Sequence, residues 1–235
     1  MRSNGPHGSN MKRPARVKFL EQNKIMDGKN CVWIGVAAVI EKDTLLYSDL
    51  KKINDYLAKE MMGGFGYSSA LRPHLNFYDL SIPAENLNKV KDALDQTFAN
   101  QKPVECKIAG INFFKFGMVY VEIEKNEDLA NLQKEILETV NSYRGDCLDL
   151  DYQKLVPVLS DSQKESLNKY GNPYMTDFKP HISVGYLPNK KDSLEAIISG
   201  IEPILTVKKF TISKLDLVKG RTYNDIEIIC EYQFL

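Results

Sequence analysis

The spacing of apolar residues predicts a chain that mixes short strands with amphipathic helices. Continuous or alternating apolar runs of strand length predict strands, and apolar residues that recur every three or four positions predict helices. The predicted strands cover residues 31–40, 104–113, 118–123, 204–218 and 226–234, with two more that begin near residues 72 and 179. The predicted helices cover residues 46–62, 83–99, 128–140, 162–170 and 193–198.

The predicted strands and helices are similar in the first and second halves of the chain. Each half contains one of the two additional strands, which begin near residues 72 and 179. An internal repeat of this kind favours two similar α/β lobes. Residues 17–235 are therefore predicted to form one bilobal α+β domain. Residues 1–16 contain glycines and prolines, no acidic residue and no apolar core of a signal peptide. They are predicted to be a disordered leader or a segment left from expression.

Two hexapeptides with matching residue types begin the two additional strands. Residues 72–77 read Arg-Pro-His-Leu-Asn-Phe, and residues 179–184 read Lys-Pro-His-Ile-Ser-Val. They hold two of the three histidines in the chain, and imidazole is the side chain that titrates near neutral pH. Side chains two positions apart share a face of a strand. The predicted polar faces are Arg72, His74, Asn76 and Tyr78 on the first strand, and Lys179, His181, Ser183 and Gly185 on the second.

Several roles could explain the pair formed by His74 and His181. Metal ligation needs a third protein ligand, and the chain has no H-x-x-x-H or C-x-x-C pattern. A serine or cysteine nucleophile uses one histidine and leaves the other unexplained. Two hydrogen-bonded core histidines would make the matched hexads a coincidence. Paired catalysis uses both, since one neutral imidazole takes a proton from the attacking group while the other, protonated, gives one to the leaving oxygen.

Phosphodiester chemistry suits such a pair, because its transition state gathers negative charge on the non-bridging oxygens. The neighbouring donors in the two hexads would stabilise that charge. They are Arg72, Asn76, Lys179 and Ser183. The prediction is a reaction that needs no metal and no other cofactor.

Composition limits the partners and the compartment. The 31 acidic and 31 basic residues cancel, so no overall field attracts nucleic acid or a membrane, and no apolar run is long enough to span a bilayer. The four cysteines lie far apart, and reduced thiols are expected. Asp146, Asp149 and Asp151 are expected to lie in a solvated loop, since the other ligands of a calcium loop are missing. A monomeric, cytoplasmic protein is predicted, with the nucleus as the other compartment.

At the two hexads the chain resembles the two-histidine (2H) phosphoesterase superfamily. That superfamily includes RNA 2′,5′ ligase-like proteins, cyclic phosphodiesterases and U6 small nuclear RNA processing exonucleases. Its signature is two copies of histidine, an apolar residue, and serine or threonine. His181-Ile182-Ser183 fits this signature fully, whereas His74-Leu75-Asn76 has an amide in place of the hydroxyl. The resemblance covers residues 30–235.

The resemblance implies a bilobal LigT-like fold, with antiparallel sheets flanked by helices and both histidines on the floor of a central groove. It also implies metal-independent cleavage of 2′,3′-cyclic or 3′,5′ phosphodiester bonds in RNA ends or cyclic nucleotides, either by hydrolysis or by transesterification to a cyclic phosphate. His74 and His181 would be catalytic. The substrate would be bound by Asn76, Ser183, Arg72, Lys179 and Tyr78. Tyr78 would stack on a base, and the alternative role for Tyr78 is that of a packed strand residue. The rival function is a non-catalytic nucleotide- or RNA-binding module, in which Asn76 marks a lost activity.

Overall fold

The computed structural model describes residues 30–60, 65–67, 71–220 and 226–235. The strands in these ranges are β1 (Cys31–Val39), β2 (His74–Pro83), β3 (Val104–Phe113), β4 (Met118–Ile123), β5 (His181–Tyr186), β6 (Lys209–Ile212), β7 (Lys214–Lys219) and β8 (Glu227–Gln233). The helices are α1 (Leu45–Glu60), α2 (Leu87–Phe98), α3 (Glu127–Asn141), α4 (Leu150–Leu155), α5 (Asp161–Tyr170) and α6 (Leu194–Ile201). The predictions for residues 1–16 and for a folded start at residue 17 lie outside the described residues.

The strands form an eight-stranded sheet in the order β6-β3-β4-β5-β2-β1-β7-β8. Every neighbouring pair is antiparallel. The sheet has two halves of four strands that meet where β5 lies beside β2. We call β6-β3-β4-β5 the middle lobe and β2-β1-β7-β8 the terminal lobe. The predicted α+β fold is confirmed, with one histidine strand at the inner edge of each lobe.

The lobes do not correspond to the two halves of the sequence. The terminal lobe takes β1 and β2 from the start of the described chain and β7 and β8 from its end, whereas β3 to β6 form the middle lobe. The strand predicted over residues 204–218 divides accordingly. β6 pairs with β3 in one lobe, and β7 pairs with β1 in the other. Apolar periodicity shows which face of a strand is buried but not its partner, so the sequence did not reveal this change.

Helix α1 connects the two lobes. Thr44 caps it, because its Oγ1 accepts a hydrogen bond from the Tyr47 N–H at 3.1 Å. Leu50, Ile53 and Leu57 form the buried stripe of α1, and the helix packs on β5 although it follows β1 in sequence. Helix α3 packs on β2 in the same way. Because these helices cover the apolar faces of β5 and β2, the histidines lie on the opposite face of the sheet.

The region predicted to be irregular, residues 141–178, contains an additional helix. Asp149 caps helix α4, since its side chain accepts a hydrogen bond from the Asp151 N–H at 2.8 Å. Asp149 is only 6% exposed. Asp149 is therefore a helix cap and not part of a solvated loop, because an aspartate at the N-cap satisfies a backbone donor that the first turn leaves unpaired. Asp146, in contrast, is exposed in a turn before the helix, and Asp151 is exposed in its first turn.

Cys31 and Cys147 form a disulfide, with their Cα atoms 6.2 Å apart. It joins the start of β1 to the segment between α3 and α4, 116 residues further along the chain. The prediction of reduced thiols is wrong for this pair, because the spacing of cysteines in a sequence does not show which of them meet in the fold. Cys106 and Cys230 are free thiols.

Gly185 of β5 lies against α1 with no room for a larger side chain. A Cβ atom there would lie 2.6 Å from Leu57 Cδ1 and 3.3 Å from Leu57 Cβ. We expect Gly185→Ala to lower the free energy of unfolding by about 1–3 kcal/mol, the usual cost of overpacking. Gly200→Ala on α6 is the matched control, since a Cβ there meets no atom within 4 Å, and alanine should stabilise the helix by up to about 1 kcal/mol. Equal urea midpoints for the two variants would contradict this expectation.

Candidate active site

The two histidine hexads meet at the centre of the sheet, where the lobes join. Leu75 of β2 pairs with Ile182 of β5. In an antiparallel pair, this register places the histidine of each strand opposite the polar residue of the other strand. Opposed side chains have Cβ atoms about 4.5–5.5 Å apart, and diagonal neighbours such as the two histidines about 7–8 Å. The structure thus brings together four predicted site residues, which we call the histidine cluster: His74, Asn76, His181 and Ser183.

Both imidazoles are oriented by the same backbone contact. His74 Nδ1 lies 2.9 Å from the Arg72 carbonyl oxygen, and His181 Nδ1 lies 2.7 Å from the Lys179 carbonyl oxygen. A carbonyl can only accept a hydrogen bond, so Nδ1 of each neutral ring carries the proton. Nε2 of each ring keeps its lone pair and is able to accept a proton.

The carbonyl of the proline in each hexad is hydrogen-bonded to a neighbouring segment. The Pro73 carbonyl accepts a hydrogen bond from the Ile40 N–H at 2.8 Å, and the Pro180 carbonyl accepts one from the Ile123 N–H at 3.0 Å. The neighbouring strand therefore uses the proline carbonyl and leaves the preceding carbonyl to the imidazole. Proline also restricts φ at this position and brings no N–H of its own. The repeated order of proline and histidine thus repeats one way of holding the ring.

Burial lowers the pKa of both histidines below the ordinary value of 6.5. For His74, desolvation is the main cause, opposed by the Arg72 carbonyl and the charge of Asp79. For His181, desolvation is again the main cause, and the charge of His74 lowers the pKa further. Phe114 and Tyr120 cover His181, each with a ring centroid 5.2 Å from that of the imidazole. Both rings are therefore mainly neutral at pH 7.

A β-bulge in β2 removes Tyr78 from the predicted polar face. β1 pairs directly with Asn76 and with Tyr78, so Phe77 is an extra residue. Side chains beyond a bulge exchange faces. Tyr78 is fully buried, and its hydroxyl lies 2.5 Å from the Tyr170 carbonyl oxygen. The prediction that Tyr78 shares the face of His74 and stacks on a base is therefore wrong.

The equivalent bulge in β5 lies three residues after its histidine. β4 pairs with Ser183 and with Gly185 and leaves Val184 as the extra residue. Val184 and Gly185 are both buried. Gly185 consequently faces α1 and does not share the face of His181, contrary to the prediction.

Beyond the bulge in β2, Asp79 occupies the place that was predicted for Tyr78. Asp79 Oδ1 accepts hydrogen bonds from Asn76 Nδ2 at 2.7 Å and from Asn172 Nδ2 at 3.1 Å, and Oδ2 accepts one from the Tyr152 hydroxyl at 2.9 Å. Burial raises the pKa of Asp79, and the hydrogen bonds from Tyr152 and Asn76 oppose that rise. Asp79 was not among the predicted site residues, because unbroken alternation puts it on the apolar face.

A trace of this bulge is present in the sequence. Apolar residues occupy odd positions at Leu75 and Phe77 and even positions at Tyr78, Leu80 and Ile82. Such a change of phase within one strand is what a bulge requires. This change of phase predicts that Asp79 lies on the same face of β2 as His74.

The backbone carbonyls of the two basic residues accept hydrogen bonds from the histidines, whereas their charged side chains form ion pairs with other residues. Arg72 Nη1 lies 3.3 Å from Glu41 Oε2, and the Arg72 side chain is 18% exposed. Lys179 Nζ lies 3.2 Å from Asp177 Oδ2, and the Lys179 side chain is 65% exposed. Lys179 is thus free to reorient toward a substrate, whereas Arg72 would first have to leave Glu41. Phosphate binding by these two side chains stays a prediction.

Among residues 30–60, 65–67, 71–220 and 226–235, no group of three or more histidine, cysteine, aspartate or glutamate side chains is arranged to hold a metal ion. No helix in this part of the chain has the length and apolar character needed to cross a membrane.

The sequence matches the model of a known protein family. A family model described as the 2′-5′ RNA ligase superfamily matches residues 62–224, more than half of the chain. The chain belongs to this superfamily. Membership in the 2′-5′ RNA ligase superfamily, a group of 2H phosphoesterases, confirms the resemblance and supports phosphodiesterase-type activity on RNA. No curated protein matches the sequence significantly.

Solved structures share the fold of this 2′-5′ RNA ligase superfamily member. TT0787 of Thermus thermophilus is 13% identical with a TM-score of 0.59, covering 86% of this chain and 97% of that one. E. coli LigT complexed with 3′-AMP is 11% identical with a TM-score of 0.52, covering 87% and 98%. The apo form of LigT is 12% identical with a TM-score of 0.50 and the same coverage. The predicted LigT-like fold is therefore confirmed.

Proposed function

We propose that this 2′-5′ RNA ligase superfamily member is a metal-independent phosphodiesterase that acts on RNA ends, cyclic nucleotides or 2′,3′-cyclic phosphates. The arrangement of the two histidines supports this proposal. Their strands pair through Leu75 and Ile182, and each Nδ1 is held by a carbonyl, which leaves both Nε2 atoms for the substrate. Such a pair has the components of general acid and base catalysis.

In the proposed reaction, Nε2 of one neutral imidazole takes a proton from the attacking water or ribose hydroxyl. The attacking oxygen forms a bond to phosphorus while the bond to the leaving oxygen breaks. The other imidazole is protonated at the start, and its Nε2–H gives a proton to that leaving oxygen. The pair holds one proton before and after the reaction, and exchange with solvent restores the starting state.

Two polar side chains are placed to stabilise the charge that develops on the non-bridging oxygens. In the β2–β5 register, Ser183 lies opposite His74 and Asn76 lies opposite His181. The Ser183 hydroxyl has no hydrogen-bond partner among the described residues, so it is available to donate to a phosphate oxygen. Preorganised donors of this kind act mainly on the transition state.

Aromatic side chains beside His181 support a nucleotide as the substrate. Phe114 stacks on Phe116 with ring centroids 5.4 Å apart and an interplanar angle of 10°. Phe114 also contacts His181, so Phe116, which is 53% exposed, offers a ring face one aromatic ring away from His181 on which a base can stack. E. coli LigT, which has this fold, was solved with 3′-AMP, and that complex also supports a nucleotide here.

Incubation with a nucleoside 2′,3′-cyclic phosphate, and separately with a short RNA, both in EDTA, tests the proposal. We expect turnover of at least one of them. Saturable binding without turnover would instead identify a nucleotide- or RNA-binding module. Complete inactivation by EDTA that one divalent ion reverses would disprove the acid–base mechanism.

The lowered pKa values of both histidines predict an acidic optimum for kcat/KM. The rate constant should follow a bell whose two apparent pKa values belong to the pair and lie below 6.5, so activity should fall as the pH rises toward neutrality and the acid member loses its proton. The folded state also binds these protons less readily than the unfolded chain. The histidine contribution to stability is therefore complete above pH 6.5 and is lost as the pH falls below it.

Measurement of kcat/KM and of the melting temperature from about pH 4.5 to 8.5 checks both statements. A maximum of kcat/KM above neutral pH, or a flat profile, would show that the free imidazoles do not control the reaction.

A further inference from the structure

The two hexads have different polar groups at matching positions, the Asn76 amide and the Ser183 hydroxyl. The two groups differ in what is needed to fix the direction of their hydrogen-bond donors. The serine hydroxyl is one bond from Cβ, so a single torsion sets its direction. The asparagine amide has a second, broad torsion and two ends of opposite hydrogen-bonding character. Asn76 therefore needs a fixed partner to present a donor in one direction, whereas Ser183 does not.

Asp79 supplies a fixed partner for the Asn76 amide. Asn76 Nδ2 lies 2.7 Å from Asp79 Oδ1, a distance typical of a hydrogen bond to an ionised acceptor. A carboxylate only accepts, so Nδ2 and not Oδ1 of Asn76 must face Asp79. One N–H of Nδ2 is used in this bond, and the other N–H stays available on the face that carries the histidines.

Asp79 is itself held from several sides. Its Oδ2 accepts from the Tyr152 hydroxyl of α4 at 2.9 Å, and Asn172, just after α5, donates to Oδ1 at 3.1 Å and to the Asp79 carbonyl at 3.2 Å. The Trp33 side chain of β1 also lowers the pKa of this carboxyl. These donors come from segments far apart in sequence, so the direction of the carboxylate is set by the tertiary structure around it.

We infer that Asp79 is a positioning residue, which orients the Asn76 amide so that its second N–H donates to a non-bridging phosphate oxygen. The inference rests on the proposed function and extends it. It explains how the first hexad can use an amide where the family signature has a hydroxyl. Asparagine serves the reaction only because the bulge in β2 brings the Asp79 carboxylate beside it.

A double-mutant cycle between positions 76 and 79 tests this inference. Asp79→Asn keeps the shape of the side chain but loses the charge and one acceptor. With Asn76 present, we expect kcat on a cyclic phosphate to fall about 10- to 100-fold and KM to change less than about threefold, because the lost contact acts through a transition-state donor. In an Asn76→Ser background, the same change should lower kcat by less than about threefold, since the serine hydroxyl does not depend on Asp79.

Asp55→Asn is the matched control. It makes the same substitution at an exposed carboxylate of α1 that pairs with Lys51. We expect a change in kcat below about threefold for this variant. The side-chain amide signals of Asn76 in nitrogen-15 NMR give a second readout that does not need turnover. They should shift in Asp79→Asn and stay unchanged in Asp55→Asn.

Each outcome of these experiments has a definite meaning. Equal losses of kcat in the Asn76 and Asn76→Ser backgrounds would overturn the inference, because Asp79 would then act on the fold as a whole. Unchanged Asn76 amide signals in Asp79→Asn would overturn it as well. If the parent protein shows no turnover while the Asn76 signals still depend on Asp79, the proposed function has failed and the contact is purely structural.

Discussion

Alanine at His74 or at His181 is expected to lower kcat by about 10²- to 10⁴-fold, because each substitution removes one of the two proton transfers. The double variant should be little slower than either single variant, since groups that act as a unit lose most of their benefit with the first removal. Steady-state kinetics of the three variants on one cyclic phosphate measure both effects.

The histidine prediction has a matched control and a clear contrary result. His7→Ala changes the third histidine of the chain, which lies outside the described residues and outside the proposed site, and it should keep the parent kcat. The melting temperatures of the His74 and His181 variants should stay within about 5 °C of the parent, since both side chains are only half-buried. Large losses of melting temperature with unchanged turnover would show that the histidines stabilise the fold and perform no chemistry.

Asn76→Ala is expected to lower kcat by about 10²- to 10³-fold, the usual cost of removing one donor to a developing oxyanion. The Nδ2 atom of Asn76 is held 2.7 Å from Asp79 and lies on the strand position opposite His181. Its loss should therefore affect the transition state more than the bound substrate. Kinetics at saturating substrate should show the decrease in kcat, with KM changed by less than about threefold.

The control for Asn76→Ala is Asn131→Ala, which removes an exposed asparagine from α3. It should leave kcat unchanged. If Asn76→Ala raises KM and leaves kcat intact, Asn76 binds the substrate in its ground state only, and its proposed donation in the transition state is disproved.

Much of the histidine cluster was predictable from local sequence. Proline followed by histidine and then alternating residues indicated two strands with the imidazole and a polar group on one face, and the structure places His74, Asn76, His181 and Ser183 together. The stripe of Leu50, Ile53 and Leu57 predicted α1 and its buried face in the same way. These predictions succeeded because they depend on neighbours two to four residues away, which the chain itself specifies.

The errors arose where distant segments determine the local structure. Tyr78 left the polar face because β1 pairs around Phe77, and that bulge depends on a separate strand that comes before α1 in the chain. The disulfide between Cys31 and Cys147 depends on how α3 returns along β2. Apolar periodicity carries no information about either event.

The sequence by itself determined the local elements of this protein, the two histidine strands and the superfamily to which the chain belongs. Only the tertiary structure decided that β5 lies beside β2, that the lobes draw on both ends of the described chain, and that Asp79 lies beside Asn76. The physical reason is that hydrophobic periodicity is a property of adjacent residues, whereas strand pairing and register are chosen by the combined burial and hydrogen bonding of segments far apart in the chain.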